Sequence, residues 1–211
     1  MHSVNMKMIE PSSTIGNIIK EYEIINKAIL MSNAWHELYL TKYGTFGFRA
    51  KPANRIKNNK KFPFITVAPQ CPLFEWWSRP EMTNSLINLV EKVTQTYKVD
   101  KSRVYLTGMS MGGYGSIALA NKRPDLFAAM ISVCGGADFN NYENLKNLPI
   151  WLFHGSEDDV HPASRSEKIY NQLKDINPEI KLTIYDGIYH NSWDITYDND
   201  DIYEWLLSKS K

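Results

Sequence analysis

Val104-Tyr105-Leu106-Thr107-Gly108-Met109-Ser110-Met111-Gly112-Gly113 carries the strongest signal in this chain. A short apolar run leads into a serine set between Gly108 and Gly112 at the G-x-S-x-G spacing, and a helical pattern follows from Tyr114 to Ala120. Strand, sharp turn and helix are the setting a nucleophile elbow requires. A serine on so tight and strained a turn needs neighbours without side chains two residues away on either side, or the backbones collide. The helix behind it aims its N-terminal N–H groups at the same spot, which suits a developing oxyanion. A glycine-rich turn before an ordinary helix is the plainer reading, but the flanking strand and helix favour the elbow.

Working outward, Phe64-Ile65-Thr66-Val67-Ala68 reads as a buried strand ended by Pro69. Thr83 to Tyr97 carries an apolar stripe at helical spacing, with Thr83 as the expected cap. Val99-Asp100-Lys101-Ser102 reads as a turn, and Val104 to Thr107 as the strand entering the elbow. Beyond it, the helix from Gly113 to Lys122 stops at Pro124, and Phe127 to Val133 ends in a strand. Pro149 to Phe153 and Lys181 to Tyr185 are further strands, and Ala163 to Lys174 and Asp200 to Ser208 are helices. Continuous apolar strands alternating with helices predict an α/β fold, with a mostly parallel sheet covered on both faces. Towards the N-terminus, Ser13 to Lys27 holds an isoleucine-rich helical stripe started by Pro11-Ser12-Ser13-Thr14. Ala28-Ile29-Leu30-Met31 fits either the end of that helix or a short buried strand, and Lys42 to Lys60 is a polar loop. The expected organisation is an atypical, helical segment over 1–40 and a catalytic domain over 41–211.

A chain of 211 residues, with 43% hydrophobic and 22% charged residues, is an ordinary globular domain. The net charge of +1 gives no electrostatic case for nucleic acid or an acidic membrane surface. Lys57, Lys60 and Lys61 read as a solvated loop. No run reaches the length of a membrane span, and Met1 to Glu10 lacks the apolar core of a signal peptide, so the expectation is a cytoplasmic protein. Cys71 and Cys134 read as reduced, half-buried thiols. Self-association is left open.

A serine hydroxyl needs a base, and the base needs an acid to orient it. In such a fold those groups belong on loops at the carboxyl ends of strands. The loop after Trp151-Leu152-Phe153 carries Glu157, Asp158 and Asp159, and the loop after Leu182-Thr183-Ile184-Tyr185 carries His190. The order Ser110, Asp158, His190 is the order an elbow-bearing hydrolase uses. Glu157 and Asp159 read as solvated carboxylates, His154 as a structural, hydrogen-bonded histidine and His161 as exposed. A metal reading of His154, Asp158, Asp159 and His161 lacks a recognisable ligand spacing, so neither a metal nor an organic cofactor is expected.

The chain resembles the α/β-hydrolases. It looks most like the small esterases often labelled predicted peptidases or phospholipase/carboxylesterase-like proteins, relatives of dienelactone hydrolases and feruloyl esterases. The resemblance rests on Ala68-Pro69-Gln70-Cys71-Pro72 with Trp76-Trp77-Ser78; on Val99-Asp100 with Arg103 to Gly113; on His154-Gly155 with Asp158, Val160 and Pro162; and on Gly187, His190, Ser192 and Trp193. It covers about Tyr43 to Leu207. It implies a three-layer sandwich, Ser110 as nucleophile, Asp158 as acid, His190 as base and the Met111 N–H as an oxyanion donor. It places Trp76, Trp77 and Trp193 beside the substrate. One departure is plain. The family's glycine-bearing His-Gly-x-Gly-Glu loop is replaced, near Ala28 to Glu37, by Ala-Ile-Leu-Met-Ser-Asn-Ala-Trp-His-Glu, and the strands before it look missing or replaced. Either another N–H substitutes, around Ser32-Asn33-Ala34, or the chain is a truncated, weakened or inactive member of that family.

The expected function is hydrolysis of a small carboxylic ester through an acyl-enzyme. Two alternatives stand beside it: a catalytically weak or inactive homologue that binds a ligand or partner, and a peptidase using the same machinery.

Overall fold

In the computed structural model, residues 27–33, 64–69, 71–72, 74–97 and 99–211 are described. The elements run β1 (Lys27–Asn33), β2 (Phe64–Val67), α1 (Pro80–Thr96), β3 (Val99–Met109), α2 (Met111–Lys122), β4 (Ala129–Val133), β5 (Ile150–Gly155), α3 (Ser164–Leu173), β6 (Ile180–Tyr185), α4 (Trp193–Asp198) and α5 (Asp201–Leu207). The strands form one sheet in the order β2-β1-β3-β4-β5-β6, and every neighbouring pair is parallel. The chain moves outward from β1 to β2, then crosses back to β3 and continues the other way. That reversal is the switch point at which an open α/β sheet leaves a crevice beyond the strand ends.

Strand alternation divides the core in two. Val104, Leu106, Met130, Ile150 and Leu152 pack into one cluster with Leu86 and Val90 of α1, Ile117 and Leu119 of α2 and Ile169 and Leu173 of α3. Tyr105, Ile131, Val133 and Phe153 pack into another with Tyr197 of α4 and Ile202, Trp205 and Leu206 of α5. Successive side chains point to opposite faces, so each central strand feeds both clusters, which is why these strands read as unbroken apolar runs. The result is the three-layer α/β sandwich.

Several local expectations are revised. The open reading of Ala28–Met31 resolves as strand, for β1 pairs with both β2 and β3. The helix expected over Ser13–Lys27 and the loop expected over Lys42–Lys60 lie outside the described residues, apart from Lys27, which opens β1. Thr83 does not cap α1. Arg79 stands at the cap position, Pro80 opens the helix with its preset φ, and the Thr83 hydroxyl donates back to the Arg79 carbonyl at 3.0 Å. The expected turn at Val99–Ser102 is the start of β3. The register against β1 jumps there from Lys27–Val99 to Ile29–Val104, and Asp100 accepts hydrogen bonds from the Ser102 N–H and hydroxyl. Local turn chemistry is present, but as an irregularity inside a strand. The short helix α4 has too few residues to show a period and had no signal in the sequence.

Candidate active site

Ser110 stands between β3 and α2 with φ 51° and ψ −121°, a conformation that costs a non-glycine residue about 1–3 kcal/mol. The surroundings hold it there. Its N–H donates to the Val133 carbonyl at 2.9 Å, and its carbonyl accepts from the Tyr114 N–H at 3.1 Å. A side chain on Gly108 would fall on the Gly112 carbonyl, and one on Gly113 would lie 2.9 Å from the backbone of Gly135. Gly108 and Gly113 are therefore steric necessities, set by contacts in three dimensions.

The structure brings Ser110, His190 and Asp158 together from the ends of β3, β6 and β5. Ser110 Oγ lies 2.8 Å from His190 Nε2, and His190 Nδ1 lies 2.8 Å from Asp158 Oδ2. A carboxylate only accepts, so Nδ1 carries the proton and Nε2 is left to accept from the serine hydroxyl. Burial alone would raise the Asp158 pKa, but hydrogen bonds from His190, the His161 N–H and the Val160 N–H pull it below the ordinary value, so the acid stays ionised. Burial pushes the thiols of Cys71 and Cys134 up to about 12, which leaves neither as a thiolate nucleophile near neutrality.

His154 is fully buried, with Nδ1 2.7 Å from Ser166 Oγ and Nε2 2.8 Å from the His161 carbonyl. His161, expected to be exposed, is instead half-buried, with its ring 5.3 Å from Tyr114 and 5.4 Å from His190. Burial, with the charges of His190 and Arg165 nearby, pushes its pKa down. Glu157 and Asp159 are exposed. Among the described residues, no group of histidine, cysteine and acidic side chains is arranged to hold a metal.

The three tryptophans separate. Trp193 meets the His190 ring edge-to-face at 5.3 Å. Trp76 is partly buried and meets Tyr114 at 6.3 Å. Trp77 is 3% exposed and sits in the core, its Cβ filling the space where Gly115 has no side chain. It is packing, not cleft wall: it is buried in the core where α2 comes close at Gly115. Rings therefore follow one another from Trp76 through Tyr114, His161 and His190 to Trp193. Sequence reasoning missed Tyr114 and His161 in this arc. The available signal for Tyr114 was its place one helical turn after Ser110.

Met111 opens α2, where first-turn N–H groups have no carbonyl partner within the helix. On the neighbouring strand Asn33, the last residue of β1, is in register with Gly108. Of the expected second-donor stretch, Ser32 and Asn33 close that strand and Ala34 lies outside the described residues.

A serine on a strained elbow at the switch point of a parallel sheet defines the class, an α/β-hydrolase. The chain belongs to the dienelactone hydrolase family, whose model matches residues 72–198. It is 30% identical over 159 residues to acetylxylan esterase A of Emericella nidulans, covering 68% of this chain and 50% of that protein. It is 27% identical over 162 residues to acetylxylan esterase A of Aspergillus awamori, covering 69% and 51%. The chain thus spans about half the length of these relatives. Among solved structures, a thermostable esterase superposes with a TM-score of 0.74 at 29% identity, over 88% of this chain and 56% of that one. Among the described residues, no helix is long and apolar enough to cross a membrane.

Proposed function

We propose that this chain is a serine esterase acting on a small carboxylic ester. Ser110 Oγ attacks the ester carbonyl as His190 Nε2 takes its proton, and Asp158 holds the Nδ1–H tautomer and stabilises the imidazolium. The Met111 N–H receives the oxyanion. His190 returns the proton to the departing alkoxide, leaving an acyl group on Ser110. Water, deprotonated by His190, then attacks the acyl-enzyme, releases the acid and restores the serine. The observation that carries this reading is the unbroken 2.8 Å and 2.8 Å relay beginning on a strained serine. Relatives named acetylxylan esterase, feruloyl esterase and cutinase favour an ester over an amide. The arc from Trp76 to Trp193 gives a flat acyl or alcohol group a surface to lie against.

The test is turnover of p-nitrophenyl acetate by wild type and Ser110→Ala, with fluorophosphonate labelling of both. Hydrolysis and labelling in wild type, lost in the variant, support the esterase. Equal slow hydrolysis by both, without labelling, overturns it in favour of a non-catalytic homologue, the reading the altered stretch from Ala28 to Glu37 favours.

A further inference from the structure

His154, the penultimate residue of β5, is wholly buried, yet the reaction above makes no use of it. Its Nε2 lies 2.8 Å from the His161 carbonyl and 3.1 Å from Asp158 Oδ2. A carbonyl only accepts, so the proton is on Nε2, and Nδ1 accepts from the Ser166 hydroxyl at 2.7 Å. Burial pushes the His154 pKa down despite the adjacent carboxylate, so the ring stays neutral and Asp158 keeps its full charge for His190.

Asp158 thus meets four N–H groups. Oδ1 accepts from Val160 at 3.0 Å and His161 at 2.8 Å, and Oδ2 is approached by His190 and His154. Val160 and His161 belong to the acid's own loop, and His190 to the group being oriented. Of the four, His154 alone approaches from a sheet strand, and it approaches the same oxygen that holds His190. Ser166, on α3, fixes the ring from behind.

We propose that His154 is a positioning residue for the esterase reaction: one N–H, shared between Asp158 Oδ2 and the His161 carbonyl, sets the carboxylate that orients His190. This rests on the esterase reading. Removing the donor leaves Oδ2 held by His190 alone and orphans the His161 carbonyl, so Asp158 and His190 drift together from the serine. Misplacement of this kind, by about 1 Å, costs on the order of 10²-fold in rate without weakening ground-state binding.

The test compares wild type with His154→Leu, which keeps apolar volume but no donor, and His154→Gln, whose Nε2 restores an N–H. With p-nitrophenyl acetate, His154→Leu is expected to lose kcat by about 10- to 100-fold with KM within about 2-fold, and His154→Gln to recover about 10-fold of that loss. The downfield proton resonance of His190 Nδ1–H, assigned by its disappearance in Asp158→Asn, is expected to shift or broaden in His154→Leu and to persist in His154→Gln. A folded His154→Leu with wild-type kcat and an unchanged resonance overturns the proposal, as does a His154→Gln no better than His154→Leu. If His154→Leu does not fold, Ser166→Ala, which frees the ring to turn, takes its place, with an expected kcat loss of about 3- to 10-fold. If wild type turns over no ester, the esterase reading fails, while the resonance still decides whether His154 sets the Asp158–His190 pair.

Discussion

At Ser110 the backbone sits where an L-residue is strained, and hydrogen bonds to Val133 and from Tyr114 keep it there. On this turn Oγ faces His190 Nε2 at 2.8 Å. In the proposed reaction three side chains act on one proton, so their losses do not add. We expect Asp158→Asn to lower the kcat for p-nitrophenyl acetate by about 10⁴-fold, because the neutral amide favours the wrong tautomer of His190. Gly108→Ala tests the turn itself. The new methyl group meets the Gly112 carbonyl, a backbone atom that cannot step aside cheaply. The expected result is a loss of about 1–3 kcal/mol in denaturant unfolding, with kcat falling as the elbow shifts.

At the level of elements, much of the fold was legible because the second half of β3 (residues 104–109), β4 and most of β5 are buried on both faces, and such stretches are largely apolar. The relay was legible for a related reason: chain order and strand ends already place Ser110, Asp158 and His190. What the sequence hid depends on neighbours far along the chain. Trp76 and Trp77 are adjacent and chemically identical, yet only Trp77 meets the gap at Gly115. Nothing local separates them, because the gap belongs to α2. The same holds for His161, whose ring is turned inward by an N–H bound to Asp158 and a carbonyl bound to His154. The two tryptophans give a paired prediction. Trp77→Ala should cost about 3–5 kcal/mol of folding stability through the cavity it leaves, with KM for aryl esters nearly unchanged in protein that remains folded. Trp76→Ala should raise that KM with a smaller effect on denaturation, as steady-state kinetics beside a urea titration would show.

For the molecule as a whole, the buried polar groups around Asp158 set the response to acid. His154 and His161 have pKa values below the ordinary 6.5, so just below that pH the unfolded chain binds protons the folded one refuses. Their contribution is complete above pH 6.5 and is lost as pH falls through that window. Asp158, held below its ordinary 3.8, adds a second loss of the same sign at lower pH. The thermal midpoint should therefore fall as pH drops beneath 6.5, and His154→Gln should flatten the first part of that slope whatever it does to the midpoint at neutral pH. Calorimetry across a pH series measures both. One further property follows from Gly155, where a side chain would strike the carbonyls of Ile188 and Tyr189. The segment bearing His190 lies directly on the end of β5, and the Ser156 and Glu157 N–H groups donate to Tyr185 and Ile188 at 2.9 Å and 3.0 Å. Those two amides report on whether the acid and base segments separate. In deuterium exchange they should open as one cooperative unit, at a rate slower than that of the amide of exposed Phe74.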